Sequence, residues 1–296
     1  MPSPGTMTRY DLVGVKEDIS DIISNISPTD TPFQSALGSE TIDNTLYQWQ
    51  EDSLLAVGTN AMVEGATANA STQQPTVLRN NGTQIITKTA SASGTADRVK
   101  KYGRAKELSY QLGMRSAELK RDLENIFVGV GAAQVLVAGS NTVARQMAGC
   151  QAQIVGNVLT VTGALTETAI LQSAQACYAA GAMPSMLMIK PADALKIASF
   201  KASGRTTFVE NAARKIVNAV DIYVSPFGDL KVAKNRFQKA TDALVFNPNM
   251  WKKLVLRPYF RETLAKVGDS TQVMIVGEFS LKHKNYGATG LITGLT

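Results

Sequence analysis

The side chains best equipped for chemistry are few and scattered. His283 is the only histidine, so any histidine-based activation of a nucleophile would have to pass through it. It stands between Lys282 and Lys284, which predicts a strand end on the surface. Cys150 and Cys177 are the only cysteines. Their separation fits no zinc pattern, and they read as small core residues in a reducing compartment. Glu17 and Asp18 are neighbours, and Glu118 and Asp122 lie four apart on one helix face. Either pair would need a cleft to act as an acid–base dyad, and like charges at that spacing repel mildly. Gly129-Val130-Gly131 opens like a dinucleotide-binding turn, but Gln134 stands where a third glycine or alanine belongs. It also follows a helix, where that turn should follow a strand. With no phosphate-loop motif either, the expectation is a chain without cofactor, metal or catalytic residues.

One cluster retains a chemical meaning. Arg98, Lys100, Lys101, Arg104 and Lys106 form a basic run. It suits phosphate contact or ion pairs between subunits, and with Tyr102 as the one aromatic inside it it does not make the aromatic-interleaved platform of a single-strand binder. Arg98, Lys100 and Lys101 are the candidates for facing nucleic acid.

The elements that must carry these residues have contrasting characters. The chain has 296 residues, 44% apolar and 18% charged, enough for a large core but with less charge than usual. Residues 1–40 hold two basic and six acidic side chains, a net of −4, and the remainder carries +10. No apolar run approaches the ~20 residues that span a bilayer, and Met1 to Tyr10 lacks a secretory layout. The expected site of production and use is a cytoplasm.

Asp11 to Ile26 is weakly helical, with Leu12, Val15, Ile19, Ile22, Ile23 and Ile26 at spacings of three and four. Ser27 to Phe33, with Pro28 and Pro32, predicts an extended or turned strap. Residues 41–95 are rich in Thr, Asn, Gln and Ser. Thr45 to Trp49 and Gln84 to Lys88 read as the two strands of a long hairpin. Such a ribbon is marginal alone in water and is expected to dock on a neighbour. Residues 103–130 predict a long helix of about seven turns, from Leu108, Leu112, Leu119, Leu123, Ile126, Phe127 and Val130. Glu118 with Arg121 and Lys120 with Glu124 would be exposed pairs on it. Residues 145–240 read as an α/β unit: helices at 166–180 and 191–200, strands at 185–189, 216–224 and 230–234, and a loop at 202–210. Strands at 243–246, 253–256 and 272–281 follow, then a small-residue tail from 285.

Several motifs in this order resemble one family. They include Ser27-Pro28-Thr29-Asp30-Thr31-Pro32-Phe33, Trp49 with Asp52 and Leu54, and Glu64-Gly65. Gly103-Arg104 with Glu107-Leu108, Glu118-Leu119 with Arg121-Asp122 and Glu124, Pro226-Phe227-Gly228 and Leu256-Arg257-Pro258 continue the series. The chain resembles tailed-bacteriophage major capsid proteins of the Hong-Kong-97-type fold, and within them the Sphingobium-phage-like group.

That resemblance implies an α+β capsid fold. Residues 1–40 would be an N-terminal arm, 41–95 an extended β-hairpin loop, and 96–144 a peripheral domain with its spine helix at 103–130. Residues 145–264 would be an axial domain, and 265–296 a return strand and C-terminal tail. It implies a shell subunit assembling with itself into hexamers and pentamers around double-stranded DNA in an icosahedral head, built in the host cytoplasm. Portal, separate scaffold and decoration proteins would be partners, and no membrane would be. Intersubunit candidates are Phe33, Trp49, Asp52, Leu54, Glu64, Arg104, Glu107, Arg121 and Glu124. Family members can crosslink through a lysine; Lys88 near the loop base lacks a recognisable asparagine and acid, so no crosslink is expected. The competing readings are a phage tail or decoration protein, and a cytoplasmic enzyme with a cleft in 145–240.

Overall fold

A computed structural model describes residues 27, 29–67, 73–129, 134–200 and 222–296. The expected helix at 11–26, the loop at 202–210, Val130 and the first part of the strand at 216–224 lie outside them.

The molecule is organised around one long helix, reached through a series of smaller elements. Pro32–Ala36 forms α1, with proline in the first turn where its missing N–H is harmless. Gly38–Thr41 forms β1. The ribbon follows as β2, Leu46–Glu51, and β3, Val77–Gly82, antiparallel with Leu46 opposite Gly82 and Glu51 opposite Val77. The ribbon's second strand is thus Val77–Gly82 and not the expected Gln84–Lys88. At Thr83 the chain turns, and Gln84–Ser93 becomes β4 of a different sheet. Asn80 and Asn81 disguise β3, because asparagine is depleted in strands.

Gly94–Arg98 is the short helix α2, capped by the Ser93 hydroxyl. Glu107–Val128 is α3, 22 residues and so about 33 Å long. It is shorter than the expected 103–130. Gly103, at φ 73°, belongs to a turn before it, and the Leu108 N–H donates to the Asp97 carboxylate at its start. Gly129 ends it at φ 59°, a left-handed conformation that glycine adopts without penalty. Leu119, Leu123, Phe127 and Val128 make its buried stripe against β4.

Cys150–Gln153 is α4, Asn157–Gly163 is β5, and Glu167–Ala179 is α5, capped by Thr166. Met186–Ile189 is β6 and Pro191–Ala198 is α6. The hairpin β7, Ile222–Ser225, and β8, Gly228–Lys234, turns at Pro226-Phe227, as expected. Ala243–Phe246 is β9. The long antiparallel pair β10, Trp251–Thr263, and β11, Ser270–His283, exceeds its predicted length at both ends. Gly290–Leu295 is β12, where a tail was expected.

Two sheets result. One runs β1-β10-β11-β4 and carries α3; the other runs β5-β12-β9-β6-β8-β7 and carries α5. The C-terminal residues are therefore interior to the second sheet, because β12 pairs parallel with β5 and antiparallel with β9. Gly290 lies directly against Ser173 of α5, where no side chain fits. A core of Phe33, Leu123, Phe127, Phe246, Trp251 and Phe279 joins α3 to the first sheet and reaches Leu244 and Met188 in the second. A second core, around Ile170, Leu187, Ile189, Leu230 and Val245, fills the α5 side.

Candidate assembly surfaces

Phe33 belongs to the core of its own chain. It is fully buried, and its ring meets Phe127, Phe246 and Trp251 at centroid distances of 6.1, 5.5 and 5.9 Å. Glu124 holds it there. The carboxylate accepts from the backbone N–H of Phe33 at 2.8 Å and of Gln34 at 2.9 Å, and from the Asn235 amide at 2.7 Å. Burial pushes its pKa above the usual carboxylate value despite these donors. The sequence offers both for a subunit boundary, and Glu124 also for an arm-to-spine pair or an exposed pair with Lys120. They are instead an internal clamp, since a carboxylate at this depth persists only when its oxygens are hydrogen-bonded. The wheel position of Glu124, between Phe127 and Val128, was the available signal.

The ribbon has a held base and an open tip. At the base, the Tyr47 hydroxyl donates to Glu40 at 2.8 Å, and Lys282 lies 3.4 Å from Glu40 and 4.9 Å over the Tyr47 ring. Arg79 pairs with Glu51 at 3.0 Å and covers the Tyr286 ring at 4.2 Å, while the Tyr286 N–H donates to Glu51. Trp49, read as either the ribbon's small internal core or a hot spot on a neighbour, is only 7% exposed within its own chain and faces Tyr47 at 6.1 Å. The base is thus fixed to the end of β11 by its own body, contrary to the expectation that a ribbon would find support only on a neighbour.

Beyond Glu51 the character changes. Asp52 and Glu64 are exposed, Leu54 is 98% exposed, and Leu55, Val57, Met62 and Val63 stand in solvent beside Val77 and Leu78 of β3. This is a run of large apolar side chains on one segment, and such patches mark contact surfaces. Asp52, Leu54 and Glu64 are all exposed in this segment, whereas Trp49 is buried.

The basic run divides. Lys101 and Arg104 both reach Glu107, at 3.1 and 2.9 Å. The Gln111 amide and then Lys101 hold that carboxyl below its usual value. These three are therefore partners of one another at the start of α3. Arg98 and Lys100 are exposed and make no ion pair among the described residues. Arg121 likewise has none; Glu118, its expected partner, binds Arg115 at 2.7 Å and Lys88 at 3.1 Å. Asp122 adds a second contact to Lys88 at 3.0 Å.

Two junctions escaped the sequence reading. Glu278 on β11 receives Arg145 at 2.5 Å, Arg257 at 3.0 Å and the Thr83 hydroxyl at 2.6 Å. Burial alone would raise its pKa, but the hydroxyl and the two guanidiniums outweigh it and hold the carboxyl ionised. Asn81 donates to the carbonyls of Ala148 and Leu281 and accepts from the Ala148 N–H. His283 is fully buried and not on the surface, with its ring stacked 3.9 Å from Trp251. The Trp251 Nε1–H donates to the Thr289 hydroxyl, which also shares a hydrogen bond of 2.9 Å with His283 Nε2. Burial drops the His283 pKa to about 3, so it is a neutral imidazole in the core. Cys150 and Cys177 are buried free thiols, and burial raises both pKa values, that of Cys177 to about 11.

Comparison with known proteins matches this arrangement end to end. The family model described as SU10 major capsid protein matches residues 5–296. A protein named "Major capsid protein" from Escherichia phage Phieco32 is 32% identical, covering 99% of this chain and 97% of its own. Among solved structures, the capsid of a native GTA particle superposes with a TM-score of 0.67 at 11% identity, over 95% of this chain and 96% of its own. A chain of Mycobacterium phage Bobi does so at 0.65 and 13%, over 98% and 99%.

Proposed function

Since this chain belongs to the SU10 major capsid protein family, we propose that it closes its shell by forming rings of five and six copies that tile an icosahedral head around double-stranded DNA. It is a phage major capsid protein of the Hong-Kong-97-type α+β fold, and it associates with itself to form the capsid of the virion. Its work is structural, and no reaction is assigned to it.

The observation that carries the ring reading is the contrast along the ribbon. Its base is tied down internally, while Leu54, Val57 and Val63 at the tip are left bare. Ring contacts are heterologous: one patch on each copy meets a different patch on the next. A tip of this kind, projecting from a fixed base, is suited to lie on the adjacent copy as the extended loop of 41–95. In this scheme residues 1–40 are the arm, 96–144 the peripheral domain, 145–264 the axial domain, and 265–296 the return strand and the terminal segment. Asp52, Leu54 and Glu64 are the contact residues of the loop.

Each contact is modest at ~25 cal/mol per Å² once association costs are subtracted. Many simultaneous contacts give the shell its strength. Arg98 and Lys100 would face the packaged DNA, where sparse cations offset phosphate repulsion without tight binding. Lys101 is already engaged by Glu107 and contributes less. A portal, a separate scaffold and a decoration protein complete the partner set, with assembly in the host cytoplasm. Glu118 and Asp122 of its own chain supply Lys88 with the acids that the sequence did not place beside it, but no asparagine contacts it among the described residues, and the shell is read as free of covalent crosslinks. Boiled, denatured particles should then run as one band near 31.6 kDa; a ladder would contradict this.

Electron microscopy of the purified, assembled protein tests the whole reading. Closed shells are expected. Tubes or discs would favour a tail-like protein, and small discrete particles would overturn the shell.

A further inference from the structure

Asn81 and Gly82 form the only Asn-Gly pair in the chain. Asparagine is thermolabile, because the backbone nitrogen of the next residue can attack its side-chain carbonyl. Glycine favours that attack. Without a Cβ it leaves its nitrogen unshielded and free to turn toward the side chain. The fold puts this labile pair at the root of the ribbon, as the last two residues of β3, and buries both.

The whole Asn81 amide is in use there. Its Nδ2 donates to the carbonyl of Leu281 at 2.6 Å and to that of Ala148 at 3.1 Å, and its Oδ1 accepts from the Ala148 N–H at 2.8 Å. The Gly82 carbonyl accepts from the Ser280 hydroxyl at 2.7 Å. Ring closure needs the side chain to swing back onto its own backbone, and these bonds hold it on two other segments instead. Neither residue is idle. A Cβ at Gly82 would press on Leu136 at 2.9 Å. An aspartate at 81 would set an acceptor against two carbonyl oxygens, and a buried carboxylate without donors is costly.

We propose that Asn81 is a self-modification site gated by the ribbon root: it stays an amide while β3 is seated on Ala148 and Leu281, and becomes aspartate or isoaspartate once the root opens. The Gly82 nitrogen bonds to Asn81 Cγ, the Cγ–Nδ2 bond breaks, and the nitrogen's proton leaves with the ammonia. Water then opens the cyclic imide at either carbonyl and is the sole co-reactant. The change runs one way. Aspartate lacks the donors that seat the root, and isoaspartate adds a methylene to the backbone and breaks the register of Asn81 with Tyr47. A copy that has stayed open therefore does not re-seat its ribbon. This inference concerns the single subunit and stands apart from ring geometry.

Peptide mapping by mass spectrometry on the full-length protein is the test. In guanidinium chloride at mildly alkaline pH, Asn81 should convert before any other asparagine. In the native protein at the same pH and temperature it should convert at least about tenfold more slowly, since only local opening exposes it. Arg79→Ala, which loosens the ribbon base, should speed the native conversion and leave the denatured rate unchanged. Gly82→Ala should slow the denatured rate several-fold. Equal rates in native and denatured wild type, or earlier conversion at another asparagine in denaturant, would overturn the proposal. A native rate indifferent to Arg79→Ala would remove the root as the gate, and a denatured rate indifferent to Gly82→Ala would remove the ring-closing route. After dilution from denaturant, converted chains should keep a protease-sensitive ribbon; a protected ribbon on converted chains would refute the one-way step. Failure of shell formation would appear by microscopy and leave these rates untouched.

Discussion

The strap around Phe33 and the ribbon tip around Leu54 lie some twenty residues apart and are built from similar side chains, yet they end in opposite environments. Phe33 is sealed among three aromatic rings because Glu124 captures the two backbone N–H groups beside it. Leu54 and Val57 have no comparable polar anchor and remain in water. Apolar content alone does not decide which segment joins the body. A buried acceptor that satisfies the segment's backbone does, because an unpaired N–H at that depth costs ~1–3 kcal/mol.

Substitutions can break this contrast or sharpen it. Phe33→Ala should have the largest effect, about 3–5 kcal/mol of stability, read from the urea midpoint of the subunit. A shift below 1 kcal/mol would return Phe33 to the surface. Acid comes next. His283 stays neutral in the fold to about pH 3, while the unfolded chain takes up its proton near the ordinary 6.5. Stability is therefore complete above that pH and falls as pH drops toward 3, by roughly 2–3 kcal/mol at pH 4. The unfolding midpoint of His283→Gln should be flatter over this range; an unchanged slope would contradict the burial.

Glu278→Gln is expected to cost about 1–3 kcal/mol at neutral pH. The folded carboxyl titrates below its usual value, so its contribution is present above that value and is lost as pH falls through the depressed one. The cost of the substitution should shrink in acid. Smallest in stability is Leu54→Ser with Val57→Ser, within about 0.5 kcal/mol. The same double variant should lose most closed particles by negative stain. Normal yields would mean that the tip has no partner. Trp49→Ala falls between, because Trp49 is buried in its own chain, and any assembly defect must be separated from its loss of stability.

Elements with strong local signals were legible in the sequence: the stripe of α3, the buried run of β6, and proline at the start of α6. What misled was chemistry supplied from far along the chain. Glu124 looked like one half of an exposed pair with Lys120, because helical spacing says nothing of α1 or Asn235. Phe33 looked like part of an arm because its flanking prolines signal an irregular strap, and its ring partners are 94 to 218 residues away. His283 looked exposed between two lysines, but a strand alternates its faces, and its middle residue points inward. Gly290 to Leu295 resembled a tail because small residues also permit close packing on α5. Asp52, Leu54 and Glu64 were readable as outward-facing, since the segment around them offers little local structure.

The position of β12 bears on the timing of synthesis. Its parallel partner β5 leaves the ribosome more than a hundred residues earlier, and β9 waits on its other side. The six-stranded sheet therefore stays split until the final strand has emerged. A chain cut before Gly290 lacks the strand that joins β5 to β9 and leaves this sheet in two pieces.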